Sequence, residues 1–215
     1  TSLMKAYFPF GPPIGHATLP DELVNDLNKG CDDIVKDKEL SKSQDWSHQL
    51  VGQVEQELLI PKDILNKWGK WFGIQVRIYL AGYFSQFVIP EQNILRDTSK
   101  ERTIEVINKV QTNVKSAWYV RSFAGDYNPL HTHTDSELTC VGFLKVPDLS
   151  GGRQKVIDHG KGTTQGPHGV LEVLNNTGSS DKYFYENDRI GFSPKVGNWY
   201  LFPANLRHTV YPFKC

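Results

Sequence analysis

A chain of 215 residues is long enough to bury a sizeable core and fits one domain of all-β or mixed type. Lys and Arg total 24, Asp and Glu total 24, and 39% of residues are hydrophobic, which excludes a disordered chain and gives a nucleic-acid partner no electrostatic footing. Cys31, Cys140 and Cys215 are scattered without CxxC spacing, against a disulfide framework, and no apolar run approaches the roughly 18 residues of a membrane span; an unexported, cytoplasmic protein is expected.

Residues 1 to 19 carry Pro9, Gly11, Pro12, Pro13 and Gly15, so they read as an irregular strand or arm laid over the body. Pro20-Asp21-Glu22 then opens a helix, with acids at the positive end of its dipole and Leu23, Val24, Leu27, Ile34 and Val35 at helical spacing. The polar stretch Lys36 to Ser47 reads as a loop. From Pro61 to about Phe87, Ile64, Leu65, Trp68, Trp71, Phe72, Ile74, Ile78, Leu80 and Tyr83 are dense enough for a long helix or a helix pair on a flat support.

Beyond Pro90 the texture changes. Thr103 to Ile107, Ala117 to Val120, Leu138 to Leu144, Gly169 to Leu174, Asn198 to Phe202 and Thr209 to Tyr211 are short β-favouring runs punctuated by Gly, Pro, Asn and Asp. Short strands with turns between them predict a sandwich or jelly-roll barrel of antiparallel strands. The fold class is therefore mainly β with N-terminal helices, arranged as one domain 1–215: residues 1–100 form the arm and supporting helices, and residues 101–215 form the β core.

His131, His133 and Asp135 alternate immediately before the run Leu138 to Leu144. Residues two apart on an extended segment share a face, so His133 and Asp135 would present an imidazole and a carboxylate to one point. His208, 75 residues beyond His133, is the natural third ligand of a facial triad with open positions, a donor set that suits Fe(II). In a second register His131 and His133 bind the metal instead. As a structural alternative, the histidines are partly buried hydrogen-bonding residues.

The segment Trp118-Tyr119-Val120-Arg121-Ser122-Phe123-Ala124-Gly125-Asp126-Tyr127-Asn128-Pro129-Leu130, and the run Gly197 to Pro212 with its Phe202-Pro203 and His208-Thr209-Val210-Tyr211-Pro212, resemble the 2-oxoglutarate/Fe(II)-dependent oxygenase superfamily. The likeness covers roughly Asp45 to Cys215 and is strongest to the oxygenases of T4-like cyanophages and, through them, the prolyl-4-hydroxylase-like branch. The resemblance implies a double-stranded β-helix core of the jelly-roll, cupin-like kind. It also implies Fe(II) held by His133, Asp135 and His208, with 2-oxoglutarate as a small-molecule co-substrate and dioxygen as oxidant. The substrate would be a peptide, protein or small molecule, a prolyl residue being the leading choice.

Asp135 is preferred as the third donor because a carboxylate makes the usual triad; His131 then lies behind the ligands or faces substrate. The family also carries an Arg or Lys after the distal histidine to grip the far carboxylate of oxoglutarate. Cys215 precedes that position, so the anchor is expected either from a further strand or from Arg121 or Arg207, of which Arg207 should point away from the metal. Tyr119 and Tyr127 are read as carboxylate-binding hydroxyls, with packing or turn roles equally open. Gly151-Gly152-Arg153 resembles the Gly-Gly turn of prolyl-hydroxylase-like enzymes, an ordinary tight turn being equally open, and His159 and His168, in the Gly-rich stretch from Asp158 to Gly169, read as surface residues of a loop near the barrel mouth, with substrate contact as the lesser alternative. His16 and His48 read as structural, and the five tryptophans as core or interface. Two other functions compete: a three-His cupin-type dioxygenase without oxoglutarate, using His131, His133 and His208, and a non-enzymatic jelly-roll structural or binding protein.

Overall fold

The computed structural model describes residues 12–49, 52–54, 56–87, 100–149, 168–175 and 189–213. Strand β1 (Gly15–Thr18) precedes helix α1 (Asp21–Lys36), whose Pro20 boundary, first-turn Asp21 and Glu22 and last-turn Lys36 suit the helix dipole. Its buried face is Leu23, Val24, Leu27 and Ile34, as the spacing predicts. The expected loop after it contains helix α2 (Lys38–Ser43) instead. Asp37 ends one helix and starts the next, its side chain accepting hydrogen bonds from the backbone N–H groups of Glu39 and Leu40.

After a 3₁₀ turn (Ser47–Gln49) come strand β2 (Gln56–Leu59) and helix α3 (Lys62–Phe87), a single unbroken element rather than a pair. Thr103 to Ile107, expected as a strand, belongs to helix α4 (Lys100–Lys109). β-Branched residues prompted the strand expectation, but only one face of this segment is covered: Ile107 is buried while Ile104 and Val106 are exposed, and Glu105 pairs with Lys109 one turn on.

The remaining elements are strands: β3 (Trp118–Arg121), β4 (Asn128–His131), β5 (Leu138–Gly142), β6 (Leu171–Leu174), β7 (Arg189–Phe192), β8 (Asn198–Pro203) and β9 (Arg207–Val210). They form antiparallel sheets ordered β1-β8-β5, β2-β3 and β4-β9-β6-β7. Among the described residues the strands are thus all paired antiparallel and stand beside four helices, an arrangement compatible with a jelly roll. No described helix is long and apolar enough to cross a membrane.

Strand β8 separates two cores. Trp199 and Leu201 face the helices with Leu23, Leu27, Ile34, Leu58 and Tyr119; Tyr200 and Phe202 face the four-stranded sheet with Leu171 and Val173. A strand covered on both sides needs apolar residues at every position, and Trp199-Tyr200-Leu201-Phe202 supplies them. Gly197, at φ +86, makes the turn into β8, where its N–H donates to the Phe143 carbonyl and its own carbonyl accepts from Leu19 N–H.

Candidate metal centre

Strand β9 brings His208 to the inter-sheet core, where it is 2% exposed and directly opposite both Val173 of β6 and His131 of β4. Pairing of β4 with β9 shifts register between Asn128 and His131: three steps along β4 match two along β9, from Val210 to His208. This bulge decides the site. Simple alternation would send Asn128 and His131 to opposite faces, yet both face the core-directed positions of β9.

His133 lies two residues beyond His131, after β4 has ended, and its backbone N–H donates to the Ala204 carbonyl at 2.9 Å. The three rings converge: centroids are 4.2 Å apart for His131 and His208, 5.2 Å for His131 and His133, and 5.2 Å for His133 and His208. One ring nitrogen from each falls within 4.8 Å of the others, the one such group of His, Cys, Asp or Glu among the described residues. Neighbouring donors at about 2.1 Å from an ion stand about 3 Å apart, so the rings would have to move inward by side-chain rotation to close this group on one metal.

The chemistry of the donors also fits. The Nδ1 atoms of His131 and His208 lie 2.7 Å and 3.0 Å from the carbonyls of Pro129 and Leu206. A carbonyl can only accept, so each Nδ1 carries the proton and each Nε2 keeps a lone pair for a metal. Burial first, and then the neighbouring imidazoles, push His208 down to about 4, with the Leu206 carbonyl acting in the opposite sense. His133 is lowered too, by burial and then by His131. Phe202 meets the His208 ring edge-on at 5.1 Å, and Trp118 meets His133 at 5.8 Å, so the nitrogens sit in an apolar frame that keeps the rings neutral.

Among the residues singled out from the sequence, His133 and His208 come together and His131 joins them. Asp135 is exposed and stands outside the group. Tyr119 and Arg121 lie elsewhere, because alternation along β3 sends them to the face opposite Trp118. Tyr119 is 4% exposed in the helix-side core, its hydroxyl has no partner among the described residues, and burial raises it above the usual phenol range. Arg121 donates to the Gln56 side chain across the β2–β3 ribbon and covers the Phe123 ring. Tyr127 is exposed and bridges to Gln53, and Arg207 is exposed. His168, expected at the surface, is 8% exposed, for the turn it shares with Gly169 is tied by the Gly169 N–H to the Pro212 carbonyl. His159 and Gly151-Gly152-Arg153 lie outside the described residues.

Residues 116–215, from just before β3 to the end of the chain, match the model of a family described as "Putative 2OG-Fe(II) oxygenase". The matched segment contains all three histidines of the group. This likeness supports the oxygenase superfamily and so an oxidoreductase, and the family's description implies Fe(II) and 2-oxoglutarate. No curated protein matches the chain.

Proposed function

We propose that this chain is an Fe(II)- and 2-oxoglutarate-dependent oxygenase that holds its metal through His131, His133 and His208. The convergence of three imidazoles on one point, within a segment that matches an oxygenase family, carries the proposal. The register that includes His131 is favoured over His133 with Asp135, because the β4 bulge turns His131 toward His208 while Asp135 stays in solvent.

When bound, Fe(II) with oxoglutarate and dioxygen would supply the oxidant that hydroxylates a substrate C–H bond. The chain's own part is positional. Backbone carbonyls of Pro129 and Leu206 hold two imidazoles in the ligating tautomer, and Phe202 and Val173 exclude water from the inner side of His208. The residues of β6, β7 and β9 that share the His208 face are Leu171, Val173, Ile190, Phe192 and Val210, none of them a cation. The far carboxylate of oxoglutarate must therefore find its partner elsewhere, and neither Tyr119 nor Arg121 is assigned to it. A prolyl residue of a peptide or protein remains the proposed substrate, and a double-stranded β-helix within one domain the proposed fold, both on the resemblance to prolyl-4-hydroxylase-like enzymes.

One observation favours a second reading. A group with no carboxylate also suits a three-His cupin-type dioxygenase that needs no oxoglutarate. Succinate release with Fe(II) and oxoglutarate, measured for wild type, His131→Ala and Asp135→Ala, separates the cases. Loss in His131→Ala with survival in Asp135→Ala is expected. The opposite pattern would restore Asp135 as a ligand, and iron binding without any succinate would favour the oxoglutarate-free enzyme. Failure to bind any divalent metal in calorimetry would leave a non-enzymatic jelly roll.

A further inference from the structure

The three imidazoles are not held alike. His131 and His208 each reach back two residues to a backbone carbonyl, at 2.7 Å and 3.0 Å, which fixes ring rotation as well as tautomer. For His133 the only hydrogen bond among the described residues is made by its backbone N–H, to Ala204. Its ring touches other rings instead: Trp118 at 5.8 Å and 59°, His131 at 5.2 Å and 88°, His208 at 5.2 Å and 35°. His133 also follows the end of β4, whereas the other two lie within paired strands.

Resting on the proposal that these three residues bind the metal, we infer that His133 is the movable arm of the centre and that Trp118 is the residue that positions it. Ring packing restricts an imidazole to a range of angles, while a carbonyl acceptor selects one tautomer and one angle. Two fixed donors are enough to seat an ion, and the third can then swing away and back without breaking any hydrogen bond. Trp118 can take this part because β3 turns its indole toward His133 and its neighbour Tyr119 into the helix-side core.

Cobalt(II), added to the chelated full-length chain, tests this without turnover. Each ligating imidazole with a proton on its other nitrogen gives a strongly shifted exchangeable N–H resonance. Two such signals that persist in D₂O are expected, each lost in His131→Ala or His208→Ala, together with a third that exchanges at once or broadens away. Three equally persistent signals would overturn the inference while upholding the ligands. No shifted signals, or cobalt affinity unchanged in His208→Ala, would remove the ligand proposal itself and this inference with it. Trp118→Ala should weaken cobalt binding about tenfold, within the range for residues that orient ligands, and alter the visible cobalt spectrum, with Trp118→Phe restoring both. An unchanged affinity and spectrum in Trp118→Ala would refute the positioning role.

Discussion

His208 gives the most direct test of how the site is built, since its burial sets the protonation of the metal-free protein. Its folded value is about 4 against an ordinary 6.5, so between those limits the unfolded chain binds a proton that the folded chain refuses. Stability from this residue is complete above pH 6.5 and is lost as pH falls toward 4. At about 1.4 kcal/mol per pH unit the whole difference is about 3 kcal/mol, of which about 2.5 kcal/mol is gone by pH 4.5. His208→Asn provides the control, because its amide can still donate to the Leu206 carbonyl but cannot take up a proton. Urea unfolding of chelated wild type and variant at pH 7.5 and 4.5 gives two differences, in which the cavity cost of the substitution cancels. Wild type should lose about 2.5 kcal/mol more than the variant over this interval. Parallel losses would mean that His208 is hydrated in the folded state, and the apolar frame drawn around it by Phe202 and Val173 would be wrong.

Metal should act in the opposite sense: cobalt(II) at 100 times its dissociation constant should stabilise the wild type by about 2.7 kcal/mol at pH 7.5 and leave His208→Ala unmoved, as read by thermal unfolding. Glu57, 4% exposed on β2, is pushed up to about 7 by burial and then by Asp45, so folding favours its protonated form and stability falls as pH rises from 4.5 through 7. Glu57→Gln should therefore gain up to about 3 kcal/mol at pH 8 relative to its effect at pH 4.5, whereas equal effects at both would show the carboxyl to be hydrated. Asp37→Ala removes the acceptor for two N–H groups at the start of α2 and should cost about 1 kcal/mol in urea unfolding, with Asp37→Asn nearly neutral.

Much of this was legible in the chain. Helix α1 follows from the spacing of Leu23, Val24, Leu27 and Ile34 behind first-turn acids, and β8 from four successive large apolar residues, because local pattern and eventual burial agree there. Strands β2 and β7 were not foreseen, since Gln56-Glu57 and Arg189-Ile190-Gly191 lack alternation and owe their form to neighbouring strands. Helix α4 went the other way: its β-branched residues favour a strand, but Ile104 and Val106 stay in solvent and only Ile107 is buried, so no described strand partner holds the backbone extended.

What the sequence determined by itself is a stock of donors: imidazoles and a carboxylate alternating over 131–135 before a strand, with another imidazole in a distant apolar run. Which of them meet was decided by tertiary structure. A strand's faces alternate strictly only until a bulge intervenes, and the extra residue between Asn128 and His131 is visible only once β4 lies against β9. That one-residue slip brings His131 to His208, while Asp135, past the end of the pairing, remains in solvent.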